Sequence, residues 1–361
     1  MSTAKFSINQ EPSKYEFSYS PGIPALLDQL DLVIAISTYQ AGKVIFLGPS
    51  QKGDGIRQTP VSFKKPMGIA LSDNKLAVAT LDNIQIFSNS QLLAQNFPYS
   101  DDNFDTLYLP RATYYSGETD LHDLHFGKGG LWAVNTKFSC ISTFDINYSF
   151  RPRWKPPFIS KLLPQDRCHL NGMATRDKAP VYATALGMTD TAEGWREHIT
   201  NGGVLMSVPD GEIILENLPM PHSPRLIGDD LYLLLSASGE IIRYNPQEKG
   251  YDTIIQTDAF IRGLAHYDHY LFVGLSKVRQ SSKTFNKLPV AKMANHAGIL
   301  IIDLHNRQKV GEIIYHNTVE EIYDVQVLPG VRFPGLITAE DERHKKAVSL
   351  KNNAFWKKEK P

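Results

Sequence analysis

Side chains able to do chemistry recur at one place in a repeated pattern of this chain. The segment DLHDLHFGKGGLWAVNT, from Asp120, opens with His122, Asp123 and His125 where a purely structural strand would carry small apolar residues. Five other segments share its grammar of a small or polar entry, an apolar pair, a turn and an alternating strand. They are KPMGIALSDNKLAVAT from Lys65, HLNGMATRDKAPVYATA from His169, PHSPRLIGDDLYLLLSA from Pro221, FIRGLAHYDHYLFVGLS from Phe260 and EIYDVQVLPGVRFPGLITAE from Glu321. The position just before the glycine, or its equivalent, is Met67, His122, Asn171, Ser223, Arg262 and Asp324, with His169 and His222 close by.

Two chemistries fit these residue types. Imidazole and carboxylate groups from separate segments can hold a divalent metal ion, with His122, His169 and Asp324 as ligands, His222 as an alternative to His169, and Asn171 offering a carbonyl oxygen. Such an ion polarises a carbonyl or activates a water. Arg262 beside Asp324 offers the second: a guanidinium that grips a carboxylate or phosphate through two hydrogen bonds. His122, Asn171, Arg262 and Asp324 are therefore the candidate catalytic set, and His222 and Ser223 the candidate substrate contacts. The plain structural alternative stands beside both, with the same groups filling the centre of the fold as hydrogen-bonded pairs. His125 alternates to the opposite face of its strand from His122, and His266 and His269 sit at a hairpin.

These residues converge only if the elements carrying them do. The entry segments recur every 40 to 60 residues, each followed by further strand-like sequence such as FSCISTFDI, GGVLMSV, GEIIRYN or GILIIDL. Repeats of this length made of short strands indicate blades of four antiparallel strands, hence an all-β propeller. In that fold the first strand of each blade lines the central channel, which brings the entry positions together at one mouth. Helical periodicity is confined to PALLDQL and KLPVAKMANHA. The last repeat has an entry strand and little after it, whereas LVIAIST and KVIFLG near the start lack an entry strand. Residues 323 to 329 then supply the innermost strand of the blade begun at residue 31, which closes a six-bladed ring. The expected organisation is an N-terminal extension over 1–30, one propeller over 31–340 and a charged tail over 341–361. Two long connections, 186–202 and 277–297, interrupt blades and are either lids over the mouth or surface insertions. Trp195 and Arg196 in the first are candidate substrate contacts.

Composition removes several function classes. The 38 basic and 38 acidic residues cancel, so no overall field draws the chain to nucleic acid or an anionic membrane. No apolar run reaches the roughly 18 residues that a membrane span needs. The first residues lack a secretory pattern, and two cysteines, Cys140 and Cys168, are too few for a disulfide framework or zinc cluster, so the expected location is the cytoplasm. The expected partners are a small polar or acidic molecule, or a protein. YQAGKVI lacks the GxxxxGK[ST] spacing of a phosphate loop. RPRWKPPF reads as an outer strand ending in proline, and no GxSxG elbow is present.

The runs AISTYQAGKVIFLG, LHDLHFGKGGLWAVNTKFSCIST, RPRWKPPFISKLLPQDRCHLNGMA, ATALGMTDTAEGWRE, GGVLMSVPDGE, PHSPRL, IRGLAHY, FVGLSKVR and IYDVQVLPGVR together resemble a bacterial β-propeller family known as a domain of unknown function and sometimes joined to tetratricopeptide repeats. The resemblance spans about residues 15 to 335 and implies the propeller without implying an activity. A looser likeness is to six-bladed lactonases, which hold a divalent cation on the axis with carboxylate and asparagine ligands. Asn171 and Asp324 would suit two such positions, while His122 is foreign to that pattern.

Overall fold

The computed structural model describes residues 15–99, 104–278 and 285–357. Six antiparallel sheets make six blades, numbered here in chain order and each given from its inner to its outer strand. Blade one is Asp324–Pro329, Leu32–Thr38, Lys43–Pro49 and Ile56–Ser62; blade two is Ile69–Ser72, Lys75–Ala79, Asn83–Asn89 and Thr106–Tyr115. Blade three is Leu121–Gly127, Gly130–Asn135, Cys140–Thr143 and Arg151–Trp154, and blade four is Leu170–Arg176, Ala179–Ala185, Gly203–Ser207 and Ile213–Leu218. Blade five is Pro221–Ile227, Asp230–Leu235, Glu240–Asn245 and Gly250–Gln256, and blade six is Phe260–Tyr267, Tyr270–Ser276, Ala297–Asp303 and Gln308–Tyr315. The six entry segments supply the six inner strands.

The ring closes as its sequence requires. Asp324–Pro329 pairs with Leu32–Thr38 in the register Ser37 to Asp324 and Leu32 to Pro329. Every residue of Leu32–Thr38 is buried, because a blade is covered on both faces by its neighbours. Ile34 and Ile36 face blade six, against Phe272, Ile299 and Ile301. Val33 and Ala35, one residue out of phase, face blade two, against Ile69, Val78 and Phe87. The period of two thus serves two interfaces, and the core is a circle of inter-blade seams.

Both ends of the described chain lie on outer edges. Phe17–Tyr19 pairs with the outermost strand of blade six, and the helix Ile23–Gln29 buries Ile23 and Leu27 in the seam between blades one and six. Pro334–Leu336 pairs in parallel with the outermost strand of blade two. A short hairpin, Ala347–Ser349 with Ala354–Trp356, follows. Trp356 packs edge-on against Phe97 and donates its indole N–H to the Leu93 carbonyl. These additions cover two sheet edges that would otherwise present unpaired backbone groups.

The two long connections meet each other. Leu186, Trp195 and Ile199 from the first pack with Leu288, Val290, Ala291 and Ala294 from the second, over Met220 and Ala237 of blade five. Trp195 is 2% exposed. Both therefore fold onto the mouth at which the inner strands begin. Residues 279–284 of the second connection lie outside the described residues.

Candidate functional site at the channel mouth

Hydrogen bonding between blades fixes the register of the inner strands, and that register shows two layers across the channel. A donor from one blade reaches a carbonyl at the start of the next inner strand at several seams. Thr136 Oγ1 donates to Leu170 O, Ser236 Oγ to Ile261 O, Ser276 Oγ to Ile322 O and Asn171 Nδ2 to Pro221 O. The residues just after these carbonyls, with His122 as their counterpart in blade three, form the mouth layer: His122, Asn171, His222, Arg262 and Tyr323. In blade two Met67 supplies the carbonyl itself, accepting from Ser37 Oγ at 2.6 Å, and Gly68 follows it. The layer beneath is Gly68, Asp123, Gly172, Ser223, Gly263 and Asp324. Ser223 and Asp324, expected at the mouth, thus lie one residue deeper, and His222 and Tyr323 take their places. Irregular pairing between His222 and Arg225 hides this slip from a count of residues.

The deeper layer alternates glycine with an acceptor. A Cβ on Gly68 would come within 3.1 Å of Asp123 Cα, one on Gly172 within 3.2 Å of Ser223 N, and one on Gly263 within 3.0 Å of Asp324 Cα. Each glycine lets the next inner strand approach closely. The acceptors reach across the following seam: Asp324 Oδ2 accepts from Ile69 N at 2.8 Å, Asp123 Oδ2 from Met173 N at 3.0 Å, and Ser223 Oγ from Gly263 N at 3.0 Å. Arg225 fills the channel between the two carboxylates, bound to both oxygens of Asp123 at 3.0 and 3.2 Å and lying 3.8 Å from Asp324. Burial, reinforced by the Asp123 carboxylate and eased by Arg225, leaves the Asp324 carboxyl pushed up to about 6. This layer is a structural fastening.

The mouth layer is different. Thr136 and Ser236 spend their hydroxyl hydrogens on carbonyls, so each accepts from the adjacent imidazole: His122 Nδ1 lies 2.8 Å from Thr136 Oγ1 and His222 Nδ1 2.8 Å from Ser236 Oγ. The network assigns the hydrogen to Nδ1 in both rings and leaves the Nε2 lone pairs free. Burial, reinforced by the cationic Arg262, holds both imidazoles well below their ordinary range, so they are neutral at pH 7.

His169 starts the inner strand of blade four in a left-handed conformation, φ 50°. Its Nδ1 lies 2.8 Å from Asp166 Oδ2, which also accepts the Trp195 indole N–H at 3.1 Å. The His169 ring stands 4.8 Å from that of His122 and 4.3 Å from that of Trp195. Arg262 lies over the Tyr323 ring at 3.4 Å, and its Nη1 reaches Glu321 at 3.4 Å. Its Nη2 is buried with no hydrogen-bond partner. Asp120, raised by desolvation against the pull of His169, completes the rim.

These groups surround a cavity of about 240 Å³. His169, His222 and Arg262 supply polar walls, Trp195, Phe260 and Phe285 aromatic ones, and Lys137 and Arg196 add positive charge. Arg196 stacks on Trp195 at 4.4 Å. The structure thus gathers His122, His169, His222, Arg262, Trp195 and Arg196 at the mouth. It turns Asn171 into a seam, where Thr184 donates to its carbonyl oxygen at 2.7 Å, and it commits Ser223 and Asp324 to backbone amides. His122, His169 and Asp324, expected to share a metal ion, do not bring their ligand atoms together as a group within 4.8 Å. Among the described residues the one His, Cys, Asp and Glu cluster of that compactness lies elsewhere. Asn171 and Asp324, the lactonase-like pair, both bond within the seams.

Sequence reasoning missed Asp166, Tyr323 and Arg225, and marked Asp123 as polar without giving it a place in the site. The three-residue spacing of Asp166 and His169 in QDRCHL was the available signal for the first. The others depend on register. His125, by contrast, sits in a seam as its alternation implies, bonded to Thr175 at 3.0 Å.

Comparison with the curated proteins gives no match. Among solved structures, a chain of the crystal structure of a nidogen/laminin complex is similar at a TM-score of 0.52 and 11% identity, covering 83% of this chain and 99% of that one. A likeness at that identity shows the fold. No described helix is long and apolar enough to cross a membrane. The family model described as a domain of unknown function, DUF4915, matches residues 21–337, a span that holds all six inner strands and the mouth but none of the tetratricopeptide repeats mentioned with the resemblance. This chain is therefore a six-bladed β-propeller that belongs to the DUF4915 family.

Proposed function

We propose that the mouth cavity binds a small acidic molecule and that His169 exchanges a proton with it. The observation that carries the reading is Arg262, a cavity-lining guanidinium whose side chain is 13% exposed and whose Nη2 has no partner. A buried donor left unpaired costs about 1 to 3 kcal/mol. A bound carboxylate or phosphate would satisfy it with a charge-assisted hydrogen bond. Aromatic walls on Trp195, Phe260 and Phe285 favour a ligand with a flat or apolar body.

The Asp166–His169 pair is the arrangement of a general base with its orienting carboxylate. Asp166 accepts from Nδ1, which leaves Nε2 to hold or release a proton. His222, neutral and fixed at Nδ1, adds an acceptor to the same wall without adding charge. A non-catalytic binding propeller is the second reading, favoured by the commitment of Asn171, Ser223 and Asp324 to the seams rather than to a reactive centre.

Thermal-shift screening against small aliphatic and aromatic carboxylates and phosphates tests the proposal. A stabilising acid should lose at least tenfold in affinity in Arg262→Ala, about the 1.5 to 3 kcal/mol of a charged hydrogen bond. His169→Asn should keep the binding and lose any turnover. Equal affinity in Arg262→Ala would sink the binding site, and binding without turnover in the native protein would select the second reading.

A further inference from the structure

The opposite end of the propeller carries a second, separate cluster. Inner strands begin at the mouth, so the hairpin joining the first two strands of blade six and the one joining its last two strands both lie at the far rim. His269 sits in the first hairpin, and Asp303 and His305 start the second. Their ligand atoms lie within 4.8 Å of one another.

The scaffold beneath them is fixed by backbone bonds. Tyr270 pairs with Asp303 across adjacent strands, and Leu304 N donates to His269 O at 2.9 Å. The two imidazole rings lie parallel, 6° apart, with centroids at 4.4 Å, and the His269 ring is backed on Tyr270 at 4.1 Å. Each of two side chains is also oriented from behind. His269 Nδ1 is 2.9 Å from Asp268 Oδ2, which directs Nε2 outward. The Asp303 carboxylate accepts from His305 N at 2.8 Å and from Asn306 Nδ2 at 2.8 Å. Carboxylates and amides behind the ligands are the usual support of a metal-binding histidine or aspartate.

We propose that His269, Asp303 and His305 bind one divalent transition-metal ion, with zinc as the representative. Two imidazole nitrogens and one carboxylate oxygen match the preferences of zinc, nickel and copper(II) over those of magnesium or calcium. Zinc–nitrogen bonds of about 2.0 to 2.1 Å require the His305 ring to swing out of its parallel stack on His269 until both lone pairs converge, a rotation open to the exposed His305 side chain. Three protein ligands leave a fourth position for water or a donor from a binding partner. The site shares no residue with the mouth cavity, so it stands or falls independently of the function proposed there.

The test is calorimetric titration of tag-free, full-length protein with zinc chloride at neutral pH. One saturable zinc per chain is expected, weakened at least tenfold in His305→Ala and in His269→Ala and unchanged in His169→Asn at the mouth. His305 lies at an exposed turn, so His305→Ala leaves the fold intact, and its melting temperature confirms this. Absence of saturable binding, or binding equally tight in His305→Ala and His269→Ala, would overturn the proposal.

Discussion

At the scale of single residues, the mouth and the layer beneath it use the same chemical types for opposite purposes. Asp324 and Asp123 are carboxylates beside an arginine, as a binding site would have, yet their oxygens face backbone amides and Arg225. His122 and His222 are fixed through one nitrogen only. This difference sets the response to acid. Both histidines are neutral in the folded protein and take up protons only when unfolded, below the ordinary value of 6.5, so their contribution is present above pH 6.5 and is lost as pH falls. Asp324 works the other way. With its folded value near 6 against 3.8, it binds a proton first in the folded state, so its contribution is full below pH 4 and declines as pH rises through 6. Two histidines outweigh one aspartate, and stability should fall between pH 6 and 5. In His222→Asn, whose amide can still donate to Ser236, urea unfolding should show a slope smaller by about 1.4 kcal/mol per pH unit. An unchanged slope would mean that His222 is charged in the folded protein.

At the scale of elements, close approach of the inner strands depends on the glycines of alternate blades. Gly263 has φ +80°, and a Cβ there would meet Val325 N at 2.9 Å and Asp324 C at 3.0 Å, all backbone. Gly263→Ala should destabilise by about 2 to 3 kcal/mol, through backbone strain plus overpacking. Gly117, also left-handed at φ +71° but with nothing within 4 Å of its Cβ position, should cost only about 1 kcal/mol. Comparing the two alanine variants by chemical denaturation separates seam packing from backbone conformation. The connections form an element of their own, because Trp195 joins both to the His169 wall. Trp195→Ala should cost about 3 to 5 kcal/mol or open the connections locally. In the second case limited proteolysis would cut within 186–202 while the blades stay folded.

At the scale of the whole molecule, one strand makes the ring. Asp324–Pro329 completes blade one, while Asp324 and Gln326 bond to Ile69 of blade two. A chain ending at Tyr323 should therefore lose its sharp thermal transition, as followed by circular dichroism, whereas one ending at Thr338 should keep it with a lower midpoint. The propeller itself was legible in the sequence, because its strands announce themselves by local alternation and its blades by repetition, and the unpaired strands at the two ends left one economical way to close. Local patterns also marked His122, His169, Arg262 and Trp195 as chemistry-bearing groups near a common mouth. What only the tertiary structure decided was register: a single-residue irregularity in an inner strand moves a side chain from the mouth to the seam below. In blade five such an irregularity gave His222 the place expected for Ser223, and in blade one the unbroken pairing of Asp324 with Ser37 put Tyr323 under Arg262 and Asp324 among backbone amides. Strand pairing between distant segments sets such a shift, and no local property of the residues encodes it.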